Sequence, residues 1–171
     1  PDYVLVHRSV YPKFVKLLKN AISSFYGKNP QQSKDFGRII SERQYDRLEK
    51  LLQAEATQIT CGGETDRSDL YIAPTILERV DWNSPIMEDE IFGPILPIMA
   101  YEDLPRIVSQ VRKLPKPLAA YLFTENEKAV NYFLQELPFG GGCINDCIVH
   151  VANMHLPFGG VGPSGVGNYH G

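Results

Sequence analysis

The chain has 171 residues, 43% of them hydrophobic and 22% charged, the balance of an ordinary globular domain with enough apolar material for a sizeable core. A net charge of -3 with dispersed Lys and Arg gives no electrostatic case for nucleic acid, and no apolar run is long enough to span a bilayer. Three cysteines, an odd number, do not suggest a disulfide framework. With no leader-like start, they favour a reducing, cytoplasmic setting.

In chain order, residues 3–6 form a short apolar strand. Phe14, Val15, Leu17, Leu18, Ala21, Ile22 and Phe25 recur at helical spacing, with Pro12 suited to the first turn and Gly27 to the stop. A second helix starts near Ser41, which has capping-box spacing to Gln44, and buries Tyr45, Leu48, Leu51 and Leu52. Residues 58–61, 75–80 and 95–100 read as strands, and 64–69 as a polar turn. Leu104, Ile107, Val108 and Val111 mark a third helix, and 118–123 another strand. Thr124 and Glu127 have capping-box spacing for a fourth helix with Ala129, Val130, Phe133, Leu134 and Leu137 on its face. Residues 143–151 form a last apolar segment. Alternating strands and helices predict a three-layer α/β fold, a mostly parallel sheet flanked by helices, as one domain over residues 1–171 with no internal boundary.

Two stretches break the alternation. Residues 85–94 set Glu88, Asp89 and Glu90 against Ile91-Phe92-Gly93-Pro94. Such a loop can offer carboxylates to ribose hydroxyls and an aromatic ring to a flat heterocycle; composition alone favours a solvated turn with Phe92 plugged into the core. The tail, residues 156–171, holds six glycines and is open to two readings, a site-lining loop or a frayed end. It lacks the strand-turn-helix context of a dinucleotide fingerprint. Cys143, Cys147, His150 and His155, spaced C-x3-C-x2-H-x4-H, match no common zinc pattern. On a strand, the two cysteines would share one face and His150 the other. Buried structural cysteines are the favoured reading, with no metal, and a thiol or zinc protein is the alternative.

Taken in order, several segments resemble the aldehyde dehydrogenase superfamily, in its class 3 and fatty-aldehyde branch. They are Pro1-Asp2-Tyr3-Val4-Leu5, an Arg-containing helix at 41–48, Pro74-Thr75-Ile76-Leu77, Glu90-Ile91-Phe92-Gly93-Pro94, Asn145-Asp146-x-Ile148-x-His150, the stretch 156–162, and Tyr169-His170-Gly171. The resemblance implies a C-terminal part of a catalytic domain from an enzyme that oxidises aldehydes to carboxylic acids with NAD or NADP and is a homodimer. By the same resemblance Glu90 binds the nicotinamide ribose and Phe92 packs by the nicotinamide. Ile148, Phe158 and His170 line the aldehyde channel.

The family's reaction uses a cysteine thiolate that attacks the aldehyde, hydride transfer from the adduct, and a glutamate-activated water that frees the acid. The matching cysteine falls three residues before Pro1, and the glutamate and the oxyanion-binding asparagine fall further upstream. None of Cys61, Cys143 and Cys147 aligns with the nucleophile, so the chain itself carries no catalytic residue. The cofactor domain and the dimer-forming strand also lie outside it. Asp89 stands where glutamate is common, and Pro163 where asparagine is. The chain alone is therefore expected to be inactive, with apolar surface left open toward the absent cofactor domain. A non-enzymatic α/β nucleotide- or protein-binding module is the competing expectation.

Overall fold

The computed structural model describes all residues, Pro1–Gly171. Where the sequence shows no boundary, the chain packs as two compact units, Pro1–Glu102 and Asp103–Gly171. No helix is long and apolar enough to cross a membrane.

In the first unit, β1 (Val4–His7) leads to α1 (Tyr11–Tyr26), then α2 (Glu42–Ala54), β2 (Ile59–Cys61), a small β3 (Thr65–Asp66) and β4 (Tyr71–Ile72) hairpin, β5 (Thr75–Glu78) and β6 (Ile95–Tyr101). The main sheet runs β1-β6-β5-β2: β1 and β5 lie parallel to β6, and β2 closes the far edge antiparallel to β5. The mostly parallel sheet of the sequence reading is thus observed, with one antiparallel edge. Residues 64–69, read as a polar turn, instead supply β3 and a short 3-10 turn. The side chain of Asp66 caps that turn by accepting from the Ser68 and Asp69 N–H groups.

Strand alternation gives the sheet two apolar faces. Val6, Ile76 and Ile98 meet Val15, Phe14, Leu18 and Ile22 of α1 on one side. Leu77, Ile95 and Met99 meet Tyr45, Leu48 and Leu52 of α2 on the other, making three layers. Proline in the first turn starts α1, and Gly27, at φ 75°, ends it with its N–H on the Ser23 carbonyl. Leu17 and Phe25, expected on the buried face, are exposed. Leu17 points about 120° away from the Val15–Leu18–Ile22 stripe. Phe25 lies in the last turn, edge-on to Tyr26 with ring centroids 6.3 Å apart. Ser41 caps α2 as predicted, accepting from the Gln44 N–H. The Gln44 side chain does not return the bond; it is used elsewhere, as described below.

In the second unit, α3 (Leu104–Val111) is capped by Asp103, followed by β7 (Ala119–Leu122), α4 (Glu127–Glu136) and β8 (Gly141–Ile144). β7 and β8 pair in parallel across α4, a single βαβ turn. The cap of α4 is Asn126, not Thr124: Asn126 accepts from the Lys128 and Ala129 N–H groups, while Thr124 holds the N–H of Asn126. The apolar run 143–151 is not one strand either. β8 ends at Ile144, and Val149–Ala152 is a 3-10 turn. Asn145, at φ 58°, breaks the extension, and its side chain bridges both backbone groups of Thr124 at 2.7 and 2.9 Å. This unit buries only Val108, Val111, Phe133, Leu137 and His150, a thin core.

Two measurements test this packing. Trp82 is the single tryptophan and sits edge-on to Tyr3 at 5.7 Å, so its fluorescence reports the first unit. Leu48 is fully buried beneath the 85–94 loop, and Leu48→Ala is expected to cost about 2–5 kcal/mol in urea unfolding followed by that signal. The second concerns acid. The Arg67 guanidinium holds Asp46 below the usual carboxylate range; the Ser68 hydroxyl and the Gln31 amide do so for Asp66, and Arg38 and Gln31 for Asp69. Carboxyls lowered on folding stabilise the fold above their unfolded pKa, and that contribution is lost as pH falls through the folded values. Stability should therefore be flat near neutrality and decline below about pH 4, with a shallower decline in Asp69→Asn.

Candidate functional site

The loop between the Pro85–Met87 turn and β6 is held by its backbone. Asp2 Oδ1 accepts from the Ile91 N–H at 2.8 Å. The Ile91 carbonyl accepts from the Arg47 guanidinium and from Gln44 Nε2 at 3.5 Å, and the same amide donates to the Phe92 carbonyl at 3.1 Å. The Ile91 side chain is 2% exposed. Gly93 lies on Leu48 so closely that a Cβ there would stand 2.7 Å from its methyls. Glu55, itself buried in the α2 C-terminal region, accepts from the Ile86 N–H at 3.2 Å and fixes the start of the loop.

The consequence corrects one reading. Ile91, not Phe92, is the core plug. Phe92 takes the left-handed conformation, φ 48°, and is 74% exposed. Glu90 and its neighbours Glu88 and Asp89 are exposed as well. A carboxylate and an aromatic ring are thus both exposed, two residues apart, on a backbone anchored at Ile91.

In the second unit Ile148, Phe158 and His170 fall in the irregular segment after β8. The Val149 N–H bonds the Cys147 carbonyl at 2.8 Å across Ile148, whose φ of 69° and ψ of -36° make a strained three-residue turn. Its side chain is 65% exposed. Phe158 and Tyr169 exchange two backbone hydrogen bonds of 2.7 Å, so the tail doubles back and is not a frayed end. His170, at φ 66°, lies with its ring centroid 3.8 Å from that of Tyr169. Gly160 permits the fold-back, since a Cβ there would meet the Ser164 carbonyl at 2.3 Å. Six non-glycine residues of the chain have positive φ, and three of them are Phe92, Ile148 and His170. Such a conformation costs of order 1–3 kcal/mol per residue and persists only where the surrounding structure enforces it.

The four cysteines and histidines of the possible metal set do not gather. No group of three or more His, Cys, Asp or Glu side chains stands at metal-ligating distance. The three cysteines are unpaired. Because β8 stops at Ile144, Cys143 and His150 are not on opposite faces: Cys143 Sγ lies 3.6 Å from His150 Nδ1, while Cys147 is exposed. Arg47, Gln44, Asp2 and Glu55 escaped the sequence reading as supports of the loop. Their partners are backbone groups 31 to 89 residues away, which no local pattern reveals.

The clamp can be tested directly. Arg47→Met keeps the aliphatic stem and leaves the Ile91 carbonyl without its charged donor. A loss of about 1.5–3 kcal/mol is expected in urea unfolding followed by Trp82. Arg43→Met, on the exposed side of α2, should change stability by less than about 0.5 kcal/mol.

Comparison with known proteins adds to this geometry. The model of the "Aldehyde dehydrogenase family" matches residues 1–171. The chain is 49% identical over 173 residues to Aldehyde dehydrogenase family 3 member H1 of Arabidopsis thaliana, covering 100% of the chain and 36% of that protein. It is 44% identical over 171 residues to the "dimeric NADP-preferring" aldehyde dehydrogenase of Rattus norvegicus, covering 100% of the chain and 37% of that protein. A solved structure described as the "substrate bound state of Staphylococcus Aureus AldH" superposes with a TM-score of 0.97 at 49% identity, over 100% of the chain and 37% of its own. The chain thus spans little more than a third of the length of these relatives.

Proposed function

The chain belongs to the aldehyde dehydrogenase family, and we propose that the protein of which it forms part oxidises aldehydes to carboxylic acids with NAD or NADP. The observation that carries this reading is the clamped loop, which displays Glu90 and Phe92 to solvent while burying Ile91. A carboxylate such as that of Glu90 can accept hydrogen bonds from ribose hydroxyls, and an aromatic face such as that of Phe92 suits the flat nicotinamide. These residues fit the cofactor's chemistry, an acceptor two residues from an exposed ring on an anchored backbone. When bound, the cofactor supplies the acceptor for the substrate's hydride.

Ile148, Phe158 and His170 line the aldehyde's passage in this reading. Ile148 and Phe158 offer apolar surface to the substrate's carbon chain, and the His170 imidazole adds a polar edge. The strained turn at Ile148 and the paired backbone of Phe158 and Tyr169 support it, because both hold side chains in one orientation. The thiol nucleophile, the base for the hydrolytic water and the oxyanion asparagine belong to the rest of the polypeptide, together with the cofactor domain. The exposed Ile148, Val149, Met154 and Leu156 are surface for that remainder to cover. Assembly as a homodimer is part of the reading, supported by the rat relative's name. So is a reducing, cytoplasmic setting, supported by the unpaired cysteines.

The test uses the full-length protein. It is expected to reduce NAD or NADP only when an aldehyde is present, followed at the nicotinamide absorbance, whereas the 171-residue chain alone shows no turnover. Glu90→Gln in the full-length protein should raise the cofactor KM about tenfold, the worth of one charge-assisted hydrogen bond. Absence of aldehyde-dependent reduction by the intact protein would refute the assignment.

A further inference from the structure

Cys143 and His150 form a pair that the proposed aldehyde chemistry does not use. Cys143 is half-buried on β8, in register with Tyr121 of β7. Its Sγ lies 3.6 Å from Nδ1 of His150, the one polar side-chain partner of that imidazole. The His150 ring is 9% exposed, and its Nε2 is buried with no hydrogen-bond partner. Tyr121 stands edge-on to the imidazole at 5.7 Å and Phe158 tilts against it at 6.3 Å. Glycine at 141 makes room for the ring, since a Cβ there would lie 2.6 Å from its Cδ2. A buried imidazole with a single polar neighbour leaves a costly unmet group. An imidazole with its lone pair on a thiol is also the arrangement that activates a sulfur nucleophile.

We propose that Cys143, with His150 as its base, is a modification site for small uncharged electrophiles of the activated-alkene class. The aromatic rings of Tyr121 and Phe158 that flank the neighbouring imidazole favour a flat, neutral reagent. In the step, Nδ1 of His150 takes the Sγ proton as the sulfur–carbon bond forms at the β-carbon. The alkene π-bond breaks, and its electron pair moves toward the carbonyl as an enolate. The imidazolium then returns the proton to the α-carbon, so the adduct forms without oxidant or leaving group.

The experiment treats the full-length protein with limiting N-ethylmaleimide. Cleavage before Asp146 then places Cys143 and Cys147 on separate peptides for mass spectrometry. Cys143 is expected to react about tenfold or more faster than the exposed Cys147, and the preference should vanish in concentrated urea. His150→Phe, which keeps an aromatic ring, should slow Cys143 about tenfold and leave Cys147 unchanged. Equal or slower labelling of Cys143 in the folded protein overturns the proposal, as does an unchanged Cys143 rate in a folded His150→Phe protein. If that variant does not fold, the native-against-urea ratio of the unaltered protein decides.

Discussion

The peptide group that joins Ile91 to Phe92, with the N–H just before it, is the point on which the first unit turns. A carboxylate from the start of the chain takes the Ile91 N–H, and a guanidinium and an amide from α2 take the carbonyls. Ile91 itself is packed among Tyr45, Leu48 and Ile95. Without these anchors a loop with three consecutive carboxylates would be well solvated and free to move. With them, the backbone takes a left-handed conformation at Phe92, and Glu90 and Phe92 are both left exposed while Ile91 is buried. The sheet contributes by giving α2 a face to pack on, so that Arg47 and Gln44 arrive at the loop from a fixed helix.

The second unit solves a different problem with less material. A two-stranded sheet and two short helices bury little apolar surface, so order comes from local polar closure and close backbone contact. Asn145 ties the end of β8 to Thr124, Arg112 bridges to Glu136 at 2.7 Å, and Phe133 stacks on Phe139. His150 then fills the space that Gly141 leaves. The imidazole is thus as much a packing element as a chemical one, which explains why a polar ring sits among the few buried residues.

Much of this was legible beforehand where periodicity and capping are local. The Val15–Leu18–Ile22 stripe, the Ser41 cap and the parallel β5–β6 pair follow from spacing that the chain itself displays. The errors have physical causes. Asn126 outcompetes Thr124 because its side chain sits one residue before the helix and reaches two N–H groups. The run 143–151 is apolar throughout, yet Asn145 and Ile148 adopt positive φ and forbid a continuous strand. Composition suggested Phe92 for the core because it is the larger side chain; backbone hydrogen bonds from distant residues chose Ile91. Glu90 and Phe92 as site residues owed their weight to the resemblance, since spacing alone left two readings open.

The glycine-rich tail carries one more consequence. A segment with little regular structure and many small residues invites the view that it drifts freely under mutation. At Gly159 and Gly160 the opposite holds, because the nearest neighbour of a new methyl would be a main-chain carbonyl group at 2.3 Å, which cannot rotate aside. Each such position admits one amino acid. Sequence drift in the tail is therefore uneven: Val166 is fully open to solvent, whereas the backbone at Gly159 and Gly160 leaves no room for a side chain.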